Sequence, residues 1–184
     1  MIFHNTGFSG VFIIELKRLE DERGFFARSF CQREFIEHGL DPCVAQCNIS
    51  YNKAKGTLRG MHWQEAPYAE AKLVRCTRGA IYDVIADLRS GSPTFLKWMG
   101  IELSAENRNA LYVPKGFAHG FLTLMDDTEV FYQMSEFYVP EAARGFRWND
   151  PRINIIWPEK INVISAKDQA LPEYPLDNRE GLDD

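Results

Sequence analysis

The chain has 184 residues, 45% of them hydrophobic and 26% charged, and its formal net charge is −5. This length suits one domain, 1–184, with a sizeable core, and the composition is that of a soluble globular protein rather than a disordered one. The acidic balance excludes a global field that draws the protein to nucleic acid or to an acidic membrane face, so an anionic ligand must be gripped by local arginines and lysines.

The first residues, MIFHNTGFSG, show no basic region followed by an apolar one. No apolar run reaches membrane-spanning length, so a cytoplasmic protein without membrane partners is expected. Strand-like pieces begin with GVFIIEL, and DERG then supplies a turn. QREFIEHGL reads as a short helix ending at Gly39, the residue type that closes helices in the left-handed region. The four cysteines (Cys31, Cys43, Cys47 and Cys76) form no C-x-x-C. They read as reduced, mostly buried thiols, with no zinc site among them.

KLVRCTRG, AIYDVIADL, ALYV, GFLTL and EVFYQMS continue the strands, separated by turn signals such as RSGSP and VPKG. In AIYDVIADL, Ile81, Asp83, Ile85 and Asp87 share one face, while Tyr82, Val84, Ala86 and Leu88 share the other. One apolar face and one mixed face suit a barrel or sandwich whose inside holds a ligand. SAKDQAL has Ser165 three residues before Asp168, the capping-box spacing for a second short helix. The acidic tail after Pro172 is expected to be mobile. Short strands at regular spacing, with a few short helices at the edges, predict an all-β protein: a double-sheet jelly roll.

Two histidines stand out. In PKGFAH, Pro114 and Gly116 set a bend and His119 follows, and P-x-G-x-x-H resembles the second histidine motif of cupin-type jelly rolls. Taken alone, the motif is better read as a turn before a hydrogen-bonded core histidine. His62 in TLRGMHWQ could be a metal ligand, a catalytic base or a buried ring. Metal-binding cupins present H-x-H and a glutamate in the first motif, whereas Gln64 stands here in place of the second histidine. Two histidines without a nearby carboxylate do not fill a facial triad or a catalytic zinc site, so no metal or other cofactor is expected. His62 is better read as an acid/base group sharing a pocket with His119.

DERGFF, TLRGMHWQ, KLVRC, GSPTF, LSAEN, YVPKGFAHGFLTL, EVFYQMSEFY, RGFRWNDP and SAKD follow one another in order. From Asp21 to Asp168 the chain closely resembles the dTDP-4-dehydrorhamnose 3,5-epimerase family, metal-independent cupins that act on a nucleotide-linked 4-keto-6-deoxyhexose. The resemblance implies proton abstraction at C3 and C5, both α to the C4 ketone, and reprotonation from the opposite face. His62 matches the catalytic base, Asp168 its carboxylate partner, Lys72 the cation facing the C4 oxygen, and Tyr132 the acid on the far face. Outside the resemblance, Asp168 reads as a helix cap, Lys72 as a lysine snorkelling from a strand start, and Tyr132 as a core ring.

The same match places Arg23 and Arg59 on the diphosphate and Gln46 and Asn48 along the nucleotide path. It puts Tyr138 under the base, and Lys167 and His119 on the substrate. The family is dimeric, and GVFIIEL is the candidate contact for an exchanged edge strand. Three departures stand in the recognition set. Arg28 and Ala143 occupy positions where the family often has glutamate, and QCNISYNKAKG is one residue longer. The main reading is therefore the double epimerase of dTDP-L-rhamnose synthesis. The alternative is a sibling acting at C3 or C5 alone, or on a CDP- or GDP-linked sugar, and these departures predict weaker thymidine discrimination. A sugar-binding jelly roll that lost catalysis predicts erosion at His62, Lys72, Tyr132 or Asp168, and none is eroded.

Overall fold

Period-two patterning gives two facing sheets in the computed structural model, which describes residues 1–175. The first sheet runs β1 (Ile2–Asn5), β2 (Phe12–Glu15), β10 (Ala110–Val113), β7 (Lys72–Arg78), β12 (Thr128–Met134) and β5 (Gln46–Asn52). The second runs β13 (Ala143–Gly145), β6 (Thr57–Gln64), β11 (Phe117–Thr123), β8 (Ala80–Asp87) and β9 (Trp98–Ser104). A two-residue strand, β14 (Val163–Ile164), lies parallel to β6. A separate hairpin, β3 (Leu19–Asp21) and β4 (Gly24–Phe26), pairs with itself. The architecture is the double-sheet jelly roll.

Three apolar clusters glue the layers. Val74, Ile81, Ile85, Leu111, Phe121 and Val130 meet between the sheets. Outside the second sheet, Trp63, Val84, Ala86 and Leu88 pack under Phe146, Ile153 and Tyr174 of the C-terminal segment. Outside the first, Ile14, Leu73 and Tyr112 pack under Phe35 of α1 (Gln32–Glu37). Covering both faces explains why β8 and β11 are buried along almost their whole length. In β8 the alternation read from sequence holds: Ile81 and Ile85 face the inner cluster, while Val84, Ala86 and Leu88 face the outer one.

α1 closes as its sequence predicts. Gly39 has φ +70°, its N–H reaches Ile36 O, and the Leu40 N–H reaches Phe35 O, with Phe35 and Leu40 both buried. This is the paired-bond C-cap with its apolar contact.

Three expectations are corrected. Cys76 alone is buried, with its thiol pushed up to about 11 by burial, whereas Cys43 and Cys47 are exposed and Cys31 is half-buried. The tail is anchored at least to Tyr174, which is buried and donates its N–H to Asp150 Oδ2 at 2.7 Å; residues 176–184 lie outside the described residues. GVFIIEL, as β2, is not an edge strand, since β1 and β10 occupy its two sides.

Candidate active site

A cavity of about 600 Å³ opens between the sheets. β6 forms one wall through an irregularity. Arg59 and His62 are three residues apart, so a regular strand would send them to opposite faces, yet both line this cavity. The β6–β11 register shifts between His119 and Phe121, and Gly60 carries φ +121°. A side chain at Gly60 would sit 2.6 Å from the Gly120 Cα, so the close approach of these two strands requires glycine.

The outer edge of β6 is shared. β13 pairs with residues 62–64 and β14 with residues 57–58. Directly after β14, α2 (Ala166–Gln169) begins, so its first turn is brought beside the middle of β6. Ser165 caps it, accepting the Asp168 N–H at 3.0 Å. The Asp168 carboxylate turns to β6: Oδ1 lies 2.7 Å from His62 Nε2, and Oδ2 accepts the Gly60 N–H at 3.4 Å. Burial pushes the Asp168 carboxyl up, but its bonds to His62 and Gly60 outweigh this and hold it below the ordinary carboxylate range. The carboxylate is nearly enclosed, whereas the His62 side chain is 41% exposed. In the neutral ring, a proton at Nε2 donated to Asp168 leaves the lone pair on Nδ1.

His119 is held in the same manner. Its Nε2 lies 2.7 Å from Asp83 Oδ1, and Asp83 is fully buried on β8. His62 and His119 are register partners across β6 and β11, so two histidine–aspartate pairs stand side by side on the second sheet.

The facing sheet supplies the opposite wall. Tyr132, on β12, lines the cavity. Burial pushes its phenol above the ordinary range, and the Arg59 guanidinium pulls it partway back. Arg59 is itself held by Asn52, whose Oδ1 accepts from Nε at 2.8 Å. Lys72, the first residue of β7, is buried; its Nζ lies 2.9 Å from Glu70 Oε1 and 3.5 Å from the His62 carbonyl oxygen. Gln46 and Asn48, inward-facing on β5, and Lys167, on α2, also line the cavity. Tyr138 is half-exposed at the rim and donates its N–H to Gln46 Oε1 at 2.9 Å.

A family model described as dTDP-4-dehydrorhamnose 3,5-epimerase matches residues 5–175. The chain belongs to that family. It is 46% identical over 164 residues to the dTDP-4-dehydrorhamnose 3,5-epimerase of Shigella flexneri, covering 89% of this chain and 90% of the relative. The fold is similar to that of the Elizabethkingia anophelis enzyme, with a TM-score of 0.92 and 40% identity over 95% of this chain and 96% of that one. It is similar also to the Bacillus anthracis enzyme with TDP and PPi bound, with a TM-score of 0.90 and 42% identity over 94% and 99% of the two chains.

Of the residues that the resemblance to dTDP-4-dehydrorhamnose 3,5-epimerases singled out, one does not join the cavity. Arg23 sits in the β3–β4 hairpin with its side chain 85% exposed and paired to Asp21 at 2.5 Å. Of the departures from the family pattern, Ala143 lines the cavity, whereas Arg28 does not; it pairs with Glu34 of α1 at 2.9 Å.

Sequence reasoning missed four residues. Asp83 was visible by strand parity, facing inward with Ile81 and Ile85, but its partner was not. Glu70 stands two residues before Lys72, a spacing that puts both on one side of an extended chain. Asn52 shares the inward parity of Gln46 and Asn48 on β5. Arg144 lines the cavity beside Ala143 and pairs with Glu65 at 2.8 Å, and no local signal marks it. Among the described residues, no group of three or more His, Cys, Asp or Glu is placed to hold a metal ion.

Proposed function

We propose that this protein epimerises a dTDP-linked 4-keto-6-deoxyhexose at C3 and C5. One observation carries the reading. An imidazole backed by a carboxylate enters the cavity from the second sheet, and a phenol enters it from the facing sheet. That is the arrangement a two-faced proton transfer needs.

His62 takes the proton from a carbon next to the C4 ketone. Asp168 fixes the ring and stabilises the imidazolium that forms, as the aspartate of a hydrolase triad does. The electron pair left by the broken C–H bond moves onto the C4 oxygen, where the Lys72 ammonium compensates the developing charge. The enolate then collapses back to the ketone as Tyr132 delivers its phenolic proton to the same carbon from the other side, inverting it. Proton exchange with solvent resets His62 and Tyr132, and the cycle repeats at the second carbon. Arg59 and Lys167 offer positive charge for the diphosphate, and Tyr138 at the rim offers a ring face for the base. The TDP and PPi bound to the Bacillus anthracis enzyme support thymidine diphosphate as the handle.

The same proposal includes a cytoplasmic homodimer. Among the described residues no helix is long and apolar enough to cross a membrane. Arg23 does not line its own chain's cavity, and its hairpin exposes Leu19 and Phe26. A second copy would cover those apolar side chains and receive Arg23 at its own diphosphate site.

The deciding experiment is proton NMR of dTDP-, CDP- and GDP-linked 4-keto-6-deoxy sugars with the enzyme in deuterated water. The expected result is exchange at both C3 and C5 of the dTDP sugar, with the other nucleotides far slower, because Arg28, one of the departures that predicted weaker thymidine discrimination, stands outside the cavity and pairs with Glu34. Exchange at one carbon would replace the reading with a single-site epimerase, and no exchange would remove it.

A further inference from the structure

We propose that Glu70 is a positioning residue for catalysis: its carboxylate fastens the Lys72 ammonium to the cavity wall and aims it at the reacting carbonyl. The inference rests on the role given to Lys72 above.

The argument starts from the cost of the arrangement. Both side chains are enclosed, Lys72 at 9% and Glu70 at 3% exposure, and Nζ and Oε1 are 2.9 Å apart. Taking two charges out of water is costly, and for stability alone an apolar pair would serve as well or better. Glu70 also performs no structural task that its contacts reveal. Its other oxygen, Oε2, is buried with no hydrogen-bond partner, and among the described residues its only polar contact is Lys72. A carboxylate that braced the 65–71 connection would be expected to accept backbone N–H groups there, as Asp150 does from Arg152, Ile153 and Tyr174.

What the pair does achieve is geometric. A lysine has four freely rotating side-chain bonds, and this one shares its cavity with another anion, Asp168. Left free, the ammonium could swing toward that carboxylate and compete with His62 for it. Held by Glu70 on one side and leaning on the His62 carbonyl at 3.5 Å on another, Nζ keeps its remaining N–H for a ligand oxygen. Glu70 therefore acts through Lys72, not on the substrate.

The test uses Glu70→Met, which keeps the length and removes the acceptor, and Glu70→Gln, which restores an acceptor at the same place. Steady-state kcat and KM are measured with the dTDP-linked 4-keto sugar, together with dTDP affinity by calorimetry. Glu70→Met is expected to lower kcat by about tenfold or more, with dTDP affinity within twofold of the parent, and Glu70→Gln to recover a clear part of the loss. Retention of kcat within about twofold in Glu70→Met, or a kcat loss matched by an equal loss of dTDP affinity, would overturn the proposal. So would Glu70→Gln performing no better than Glu70→Met. Should Glu70→Met fail to fold, Glu70→Asp pulls the carboxylate back by one methylene and must show the same fall in kcat with dTDP binding intact. Lys72→Met runs alongside: if it retains activity, the role of Lys72 fails, whereas a dead Lys72→Met beside a fully active Glu70→Met sinks only the role of Glu70.

Discussion

Two histidine–aspartate pairs stand next to each other in this protein, with the same atoms at the same 2.7 Å separation, yet their surroundings differ. His62 is 41% exposed to the cavity and its carboxylate comes from a short helix packed on the sheet edge. His119 is 10% exposed and its carboxylate comes from a central strand that is buried on both faces. Pairing with a carboxylate fixes the ring in both places. Both rings line the cavity, but His62 is the more open of the two, and on the proposed mechanism that access makes it the base. The two rings are register partners across β6 and β11.

The sharpest way to break this contrast is to remove each ring. His62→Ala should reduce both solvent exchange and epimerisation by about 10³-fold, read by NMR in deuterated water, while His119→Asn should retain far more of both. Equal losses would erase the distinction. The carboxylates come next. Asp168→Asn presents an amide that can hold the wrong tautomer of His62 and should cost on the order of 10²–10³-fold in kcat. Asp83→Asn should instead show itself in denaturant melts as about 1–3 kcal/mol of lost stability, with kcat within about tenfold of the parent. A reversal of those two profiles would assign the base to His119.

Across the cavity, Tyr132→Phe should lower epimerisation by about 10²-fold and depress exchange much less, because proton removal by His62 survives loss of the acid. Parallel losses would mean that one group serves both faces. The smallest expected effect is on acid stability. The folded Asp168 carboxyl lies below its ordinary range, so its stabilisation is complete above that range and is lost as pH falls through the folded value. Urea melts below about pH 4 should therefore fall more steeply for the parent than for Asp168→Asn. Identical slopes would show that the His62 pair does not persist in acid.

Several features were legible from residues alone because they depend on near neighbours. The alternation in AIYDVIADL sorted β8 into its two faces, Gly39 closed α1 with the expected pair of bonds, and Ser165 caps α2 at the expected Asp168 N–H. The resemblance in ordered motifs pointed to the cavity residues on β5, β6, β7, β11 and β12, and all of those line it. It failed to show that Arg23 stands away from its own chain's cavity. The expected edge position of GVFIIEL failed in the same way, because a strand's neighbours are not written in the strand.

Composition, periodicity and motif order by themselves pointed to an all-β sandwich, to several of its turns and caps, and to its family. The tertiary structure decided what those residues do to one another. It turned the Asp168 carboxylate from its own helix cap to an imidazole 106 positions away, enclosed His119 and opened His62, and set Glu70 against Lys72 in a wall shielded from water. The physical reason is range. Backbone preference acts over a few residues, whereas burial and charge pairing are properties of surfaces that meet only when the sheets close.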